Sequence, residues 1–205
     1  MLNTEAVGIA TRKNMSVPIA TFRIIVVLVY HMVIYCKDVM PSKNTRASYI
    51  RSFVFGVEDS LSSTVGLLSG LAIAGVARDT IFVTGVILVL VEAVSMSIGD
   101  FLSEHASEEY LHHREVSSRR SFFDALIMLF SYIVAGLVPL APYLLFPATN
   151  ALAFSITFSL CALFLLGVAS AHFSRLPLLK NGLRMFLIGG IAIAIGVVVG
   201  TAITL

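Results

Sequence analysis

Acidic side chains lie inside apolar segments of this chain, at positions where a charge on a lipid-facing helix would be unfavourable. Glu58 and Asp59 occur together in one such segment, and Glu92 and Asp100 occur in the next. A carboxylate at the centre of a bilayer costs about 3 kcal/mol on insertion scales. Such groups in neighbouring apolar segments therefore predict binding of a cation or a proton. For Glu58, Asp59 and Asp100 the alternative is that they only solvate helix ends near the interface.

One of these segments continues into a regular series of candidate ligands. Four-residue steps relate Glu92, Met96, Asp100, Glu104 and Glu108. Each step turns an α-helical side chain by only about 40°, so the five form a slowly winding stripe. Carboxylates suit Mg²⁺, Ca²⁺ and Mn²⁺, whereas a thioether favours softer transition metals. The stripe predicts a cation path, although a single methionine in an apolar helix is more often a packing residue than a ligand.

The polar loop after the stripe carries further candidate ligands. On a helix, Glu108 faces His112, and both His105 and His113 face Glu109. These pairs fit either metal ligation or a solvated helical extension, and both interpretations stay open. The sequence contains no HExxH, GxSxG or GxxxxGK[ST] motif and no evident nucleophile–base pair. We therefore expect no enzyme activity and no cofactor, with a metal ion only as a transported substrate.

The composition identifies the elements that must position these groups. The 205 residues are 58% hydrophobic and 13% charged, with a mean hydropathy of +0.94 and a net charge of +2. Soluble domains are nearer half apolar and a quarter charged, and nucleic-acid binding needs a basic face that +2 does not supply. Cys36 and Cys161 lie far apart in apolar runs and predict neither a disulfide framework nor a zinc site. The sequence predicts an all-α integral membrane protein.

Five apolar runs reach the roughly 20 residues that a membrane-spanning helix requires. The predicted helices are 53–77, 80–103, 124–146, 148–172 and 183–205, with turns at Ala77–Asp79 and at Asn181-Gly182. They form a five-helix domain over residues 49–205. Residues 1–48 form an N-terminal extension, in which 17–36 is either an extra helix or the product of an upstream start site. The last three spans carry no acid after Asp124 and are expected to be apolar walls.

Basic residues set the expected orientation, because Lys and Arg collect in cytoplasmic loops. Ten of them flank the spans on one side, and only Arg78 lies on the other. The lead into the first span, the polar loop and the last loop should therefore face the cytoplasm, with the C-terminus on the opposite side. The ten are Lys37, Lys43, Arg46, Arg51, Arg114, Arg119, Arg120, Arg175, Lys180 and Arg184.

Two ladders of small residues predict close helix contacts. The first span has Ser62, Gly66, Gly70 and Ala74 at four-residue spacing, and the last has Ala192, Gly196 and Gly200. Small residues at this spacing let helix backbones approach closely in lipid. The first ladder is either internal packing or a self-association seam that would bring two copies of Asp59 together.

The first two spans resemble the vacuolar iron transporter family. The resemblance rests on the motifs FGVEDSLSST at 55–64 with Gly66-Leu67, and SMSIGDFLS at 95–103. The segment PLAPY at 139–143 also resembles the end of the family's third helix. The resemblance covers about residues 49–205 and is most specific in 53–103, where two motifs occur in order at the expected separation.

This resemblance implies a five-helix protomer in a homodimer, with the pathway at the interface. It further implies export of Fe²⁺ or Mn²⁺ from the cytosol in exchange for protons. It assigns metal-pathway roles to Asp59 and Met96, and Asp100 matches the family's usual Glu. Glu92 falls where a small residue is expected, so its role rests only on its position within an apolar run.

The polar loop departs from the family pattern. Better-known members insert a long, Glu-rich metal-binding domain here, and about 20 residues cannot hold it, so its role does not transfer to Glu104, Glu108 or Glu109. Two alternatives to a transporter remain. One is a non-transporting membrane scaffold or regulatory subunit, and the other is a proton or cation channel. The expected location is the plasma membrane in a prokaryote and the vacuolar membrane in a eukaryote.

Overall fold

The structure, a computed structural model, describes residues 43–113, 115–146 and 148–204, so the predicted extra helix at 17–36 lies outside it. The described chain contains no strand and consists of five helices. They are α1 (Lys43–Ile73), α2 (Arg78–His112), α3 (Arg119–Leu145), α4 (Ala148–Ser174) and α5 (Leu178–Thr204). The predicted all-α class is confirmed. The predicted domain boundary between residues 48 and 49 falls inside α1.

The helices α2 to α5 are long and apolar enough to cross a membrane. With 31 residues, α1 is about 46 Å long and also has sufficient length, but it is more polar. It packs against all four other helices, and Leu61, Val65 and Leu68 on it are fully buried. Polar side chains are tolerated on α1 because much of its surface faces protein rather than lipid. The chain is an integral membrane protein with α1 in its interior.

Both of the first two helices extend beyond their apolar runs. The helix α1 begins at Lys43 rather than near 53, and α2 continues to His112 rather than ending near 103. Their polar ends bind each other, since Ser48 Oγ donates to Glu104 Oε1 at 2.7 Å. The predicted polar loop is therefore mostly helix. The actual break follows His113, whose φ of 48° ends α2 in the left-handed conformation.

The chain turns between α1 and α2 a little earlier than the predicted turn at Ala77–Asp79. The turn is made at Gly75, whose φ of +75° costs glycine no steric strain. Arg78 and Asp79 belong to the first turn of α2. Arg78 Nη1 donates to the carbonyl oxygen of Phe146 at 3.2 Å, which satisfies one of the carbonyls left unpaired where α3 ends.

The predicted turn at Asn181-Gly182 is wrong, because both residues lie within α5. A Cβ on Gly167 of α4 would lie 2.6 Å from the backbone oxygen of Asn181. The small residues therefore serve close packing of α4 against α5. The chain turns instead at Arg175, which has a φ of 53°, just before Pro177.

The two small-residue ladders face each other within one protomer. A Cβ on Gly70 would lie 2.8 Å from the carbonyl oxygen of Gly196, and one on Gly66 would lie 3.2 Å from that of Ala192. The structure thus uses the α1 ladder for internal packing against α5. On the outer side of this crossing an apolar groove of about 480 Å³ remains open between the two helices.

Candidate functional site

Four side chains from three helices form a polar cluster, here called the Glu92 cluster: Asp59 and Ser63 of α1, Glu92 of α2 and Tyr132 of α3. Glu92 Oε2 accepts hydrogen bonds from Ser63 Oγ at 3.1 Å and from the Tyr132 hydroxyl. Asp59 precedes Ser63 by one helical turn and is close enough to Glu92 for their charges to interact. Glu58 is the other acidic neighbour of Asp59. The fold therefore brings Asp59 and Glu92 into one site.

The hydrogen-bonded contacts of the Glu92 cluster outnumber the hydroxyl protons that can fill them. Ser63 Oγ and the Tyr132 hydroxyl oxygen also lie 2.9 Å apart, so three contacts link Ser63, Tyr132 and Glu92. Each hydroxyl has a single proton to donate, which leaves one contact without a proton when Glu92 is ionised. A protonated Glu92 supplies the third. The geometry accommodates Glu92 both as a carboxylate and as a carboxylic acid.

Removal of the Tyr132 hydroxyl should destabilise the protein. A hydrogen bond to a charged group contributes about 1.5–3 kcal/mol, and Tyr132 is 0% exposed, so water cannot replace it. We expect a clear fall in the melting temperature of purified Tyr132→Phe. The matched control is Tyr143→Phe, whose hydroxyl makes only a 3.4 Å bond to the Leu68 carbonyl oxygen. Equal melting temperatures for the two variants would contradict the role given to Tyr132.

A groove of about 640 Å³ lies beside Met96 and is bordered by α1, α2 and α3. Met96, Met128, Asp100 and Arg51 all line it. Met96 follows Glu92 by one turn of α2, so the groove adjoins the Glu92 cluster. The two methionines offer soft sulfur donors, which favour a transition-metal ion.

The remaining carboxylates of the predicted stripe bind arginines and form what we call the arginine cluster. Arg51 Nη2 lies 3.3 Å from Asp100 Oδ1 and 2.9 Å from Glu104 Oε2. Arg120 lies 3.6 Å from Glu104 and 2.6 Å from Glu108. A guanidinium competes with a metal ion for the same oxygen lone pairs. We therefore leave Asp100, Glu104 and Glu108 out of the metal path proposed below.

The histidines near the end of α2 make contacts typical of a solvated helical extension. His105 Nε2 lies 3.4 Å from Glu109 Oε1, and its ring stacks on Phe101 with centroids 5.9 Å apart. The exposed His113 contacts the ring of Tyr110 edge-on. In residues 43–113, 115–146 and 148–204, no three His, Cys, Asp or Glu side chains converge on a possible metal site. Metal ligation by the polar loop therefore stays a prediction, beside the alternative of a solvated helical extension.

Sequence analysis missed three buried residues of α3 that face these sites. Asp124, Met128 and Tyr132 are separated by four-residue steps and all are buried. The helix was expected to be an apolar wall because it carries no acid after Asp124. The available signal was the spacing itself, which places a carboxyl, a thioether and a hydroxyl on one helical face.

A sequence profile of the VIT family matches residues 50–123 and 112–201, which together cover most of the five-helix bundle. The chain belongs to the VIT family. The two matched segments overlap over residues 112–123, at the break between α2 and α3. This VIT-family chain therefore departs from the continuous family pattern at the place where the sequence predicted a shortened loop.

Curated relatives of this VIT-family chain are plant proteins. Vacuolar iron transporter 1 of Arabidopsis thaliana is 22% identical over 211 residues, covering 73% of this chain and 84% of the relative. Vacuolar iron transporter of Centaurea cyanus is 24% identical over 210 residues, covering 73% of this chain and 86% of the relative. Because the aligned lengths exceed the covered part of this chain, the relatives carry insertions that it lacks.

Proposed function

We propose that this chain transports Fe²⁺ or Mn²⁺ across a membrane, out of the cytosol and in exchange for protons. The observation that carries the proposal is the Glu92 cluster, where Asp59 and Glu92 share a partly buried site between helices of an integral membrane protein. The relatives named as iron transporters support a metal ion as the substrate. The proposed transport unit is the bundle α1–α5.

The donor set supports a divalent transition metal. Asp59 and Glu92 together neutralise a divalent cation when both are ionised, and Met96 lies one helical turn beyond Glu92. Fe²⁺ accepts both oxygen and sulfur donors, whereas Mn²⁺ depends more on oxygen. We therefore assign the metal path to Asp59, Glu92 and Met96, with Glu58 beside Asp59 and Met128 across the groove.

A second copy of the chain completes the path in this proposal. Within the described ranges, one protomer does not bring three acidic, histidine or cysteine ligands together. Glu58 and Asp59 are only half-buried, and Ser62 and Ser63 just beyond them line the apolar groove between α1 and α5. Docking of a second protomer along this groove would place two copies of Asp59 near one axis. We therefore propose a homodimer with the metal path at its interface.

Protonation gives the exchange a physical basis, because carboxylates bind a metal when ionised and release it when protonated. The Glu92 cluster accommodates both forms of Glu92. The direction follows from the basic residues, which favour a cytoplasmic location for the end of the bundle that holds Arg51 and Arg120. The host membrane in this proposal is the vacuolar membrane in a eukaryote and the plasma membrane in a prokaryote.

Metal flux into proteoliposomes under an imposed pH gradient tests the proposal. An exchanger should move Fe²⁺ or Mn²⁺ when the gradient is present and lose most of that flux when an ionophore collapses it. A scaffold or regulatory subunit would give no flux above empty vesicles. A channel would conduct without needing the gradient and without preferring transition metals over Mg²⁺. Either of the last two results would overturn the proposal.

The ratio of Fe²⁺ to Mn²⁺ flux should fall in Met96→Leu. Leucine conserves volume and apolarity, so packing should change by less than about 1.5 kcal/mol. Loss of the soft donor should lower Fe²⁺ flux severalfold and Mn²⁺ flux less. The matched control is Met185→Leu, which replaces a partly buried methionine packed against the apolar core and should alter neither flux. Parental fluxes of both ions through Met96→Leu would show that Met96 is a packing residue.

A further inference from the structure

Asp124 is a buried carboxyl next to the arginine cluster and is outside the proposed metal path. It is 0% exposed, and neither of its oxygens has a hydrogen-bond partner among the described residues. The groups that face it are Ser48 from α1, Asp100 and Glu104 from α2, and Arg120 from its own helix. Three helices therefore enclose this carboxyl.

Acids outnumber guanidinium groups within the set formed by the arginine cluster and Asp124. Asp100, Glu104, Glu108 and Asp124 carry four negative charges, and the two guanidinium groups of the cluster, Arg51 and Arg120, carry two positive charges. Arg120 already binds two of these acids, at 3.6 Å and 2.6 Å. A buried carboxylate without hydrogen bonds is costly and is ordinarily neutralised by a proton. The charges of Glu104 and Asp100 add to that cost, and the charge of Arg120 offsets part of it.

Ser48 is the one hydroxyl among the groups that face Asp124. Its only hydroxyl proton is donated to Glu104 Oε1 at 2.7 Å, which leaves its oxygen lone pairs able to accept. An ionised Asp124 would face this oxygen with no proton between them. A proton on Asp124 would let this carboxyl donate to Ser48 and so extend the observed Ser48–Glu104 bond into a chain of donors.

We propose that Asp124 is a proton-binding site and that Ser48 and Glu104 are its exchange route to water. In the transfer step the Asp124 O–H proton passes to Ser48 Oγ while the Ser48 proton passes to Glu104 Oε1. Asp124 becomes a carboxylate, Glu104 becomes a carboxylic acid, and Ser48 is regenerated. Glu104, whose side chain is 10% exposed, then releases the proton to solvent. The proposal deepens the function above, since use of this proton in transport rests on the proposed exchange.

A proton fits this site better than a metal ion does. The carboxyl oxygens of Asp124 are inaccessible, so an ion would have to enter without its hydration shell. The guanidinium of Arg120 also repels a second cation. No group of three His, Cys, Asp or Glu ligands that could hold a metal exists within the described part of the chain.

Infrared spectroscopy of the purified full-length protein tests the site without requiring transport. The protonated-carboxyl C=O stretching band at neutral pH should lose intensity in Asp124→Asn, and the carboxylate band should not. The control Glu109→Gln, which removes a partly exposed acid outside the arginine cluster, should keep the protonated band. Loss of carboxylate absorption in Asp124→Asn would show an ionised Asp124 and overturn the proposal. If Asp124→Asn does not fold, Asp124→Ser gives the same comparison.

Deuterium exchange tests the route. After transfer to D₂O, the Asp124 band should shift at least tenfold more slowly in Ser48→Ala than in the parent protein. An unchanged rate would overturn the relay through Ser48. Because both spectra are recorded without metal flux, absence of flux in proteoliposomes would refute the transport proposal and leave the result for Asp124 intact.

Discussion

Replacing Asp59 with asparagine is expected to reduce metal flux through proteoliposomes to the level of empty vesicles. The amide keeps the size and hydrogen-bonding shape of the side chain but removes the charge that we propose binds the metal ion. Membrane insertion should become easier, because a carboxylate at the centre of a bilayer costs about 3 kcal/mol. Expression should therefore stay near that of the parent protein, and the loss would be chemical.

The matched control for this experiment is Asp79→Asn. Asp79 is exposed in the first turn of α2, away from the Glu92 cluster, so the same substitution there should leave flux unchanged. Expression and melting temperature should be measured on both preparations. Parental flux in Asp59→Asn would remove Asp59 from the path and with it the principal support for transport through the Glu92 cluster.

Addition of a single methyl group at Gly196 is expected to destabilise the bundle strongly. The new Cβ would overlap the backbone oxygen of Gly66, which cannot move without its helix, so α1 and α5 would have to separate. Overpacking of this kind costs about 1–3 kcal/mol. Gly196→Ala should therefore lower the melting temperature and shift the purified protein toward aggregates in gel filtration.

Gly190→Ala provides the control on the same helix. A Cβ at Gly190 meets nothing within 4 Å, and alanine favours a helix over glycine by about 1 kcal/mol. The melting temperature of Gly190→Ala should hold or rise. The two substitutions thus have opposite expected signs, and equal behaviour would mean that the α1–α5 contact is not tight.

The sequence is sufficient to predict the five helices, because apolar runs of membrane length have few other stable conformations. It does not locate the ends of α1 and α2. Those ends are polar, and their helical conformation is stabilised by contacts such as Ser48 with Glu104, residues 56 positions apart. Hydropathy measures only the part of a helix that lipid can surround. Pairing between distant polar segments becomes evident only in the fold.

The candidate site was predictable only in part for a related reason. The positions of Asp59, Glu92 and Met96 within apolar runs indicated a role in metal binding. An isolated carboxylate there is costly to bury, and a thioether there is a possible soft ligand. The arginine partners of the stripe could not be inferred, because Arg51 and Arg120 reach Glu104 from two other helices. Asp124 was overlooked since it marks the beginning of an apolar run, and only its burial distinguishes it from an interfacial acid.

The position of the polar helix α1 inside the bundle has a consequence for how the protein is made. Of the five helices described, α1 leaves the ribosome first, yet Arg51, Glu58 and Asp59 make it a poor substrate for release into lipid by the translocon. Its polar surface is covered only when later helices arrive, and its glycine ladder meets α5, the last of these to be synthesised. We therefore expect α1 to reach its stable position in the membrane only after α5 has been synthesised.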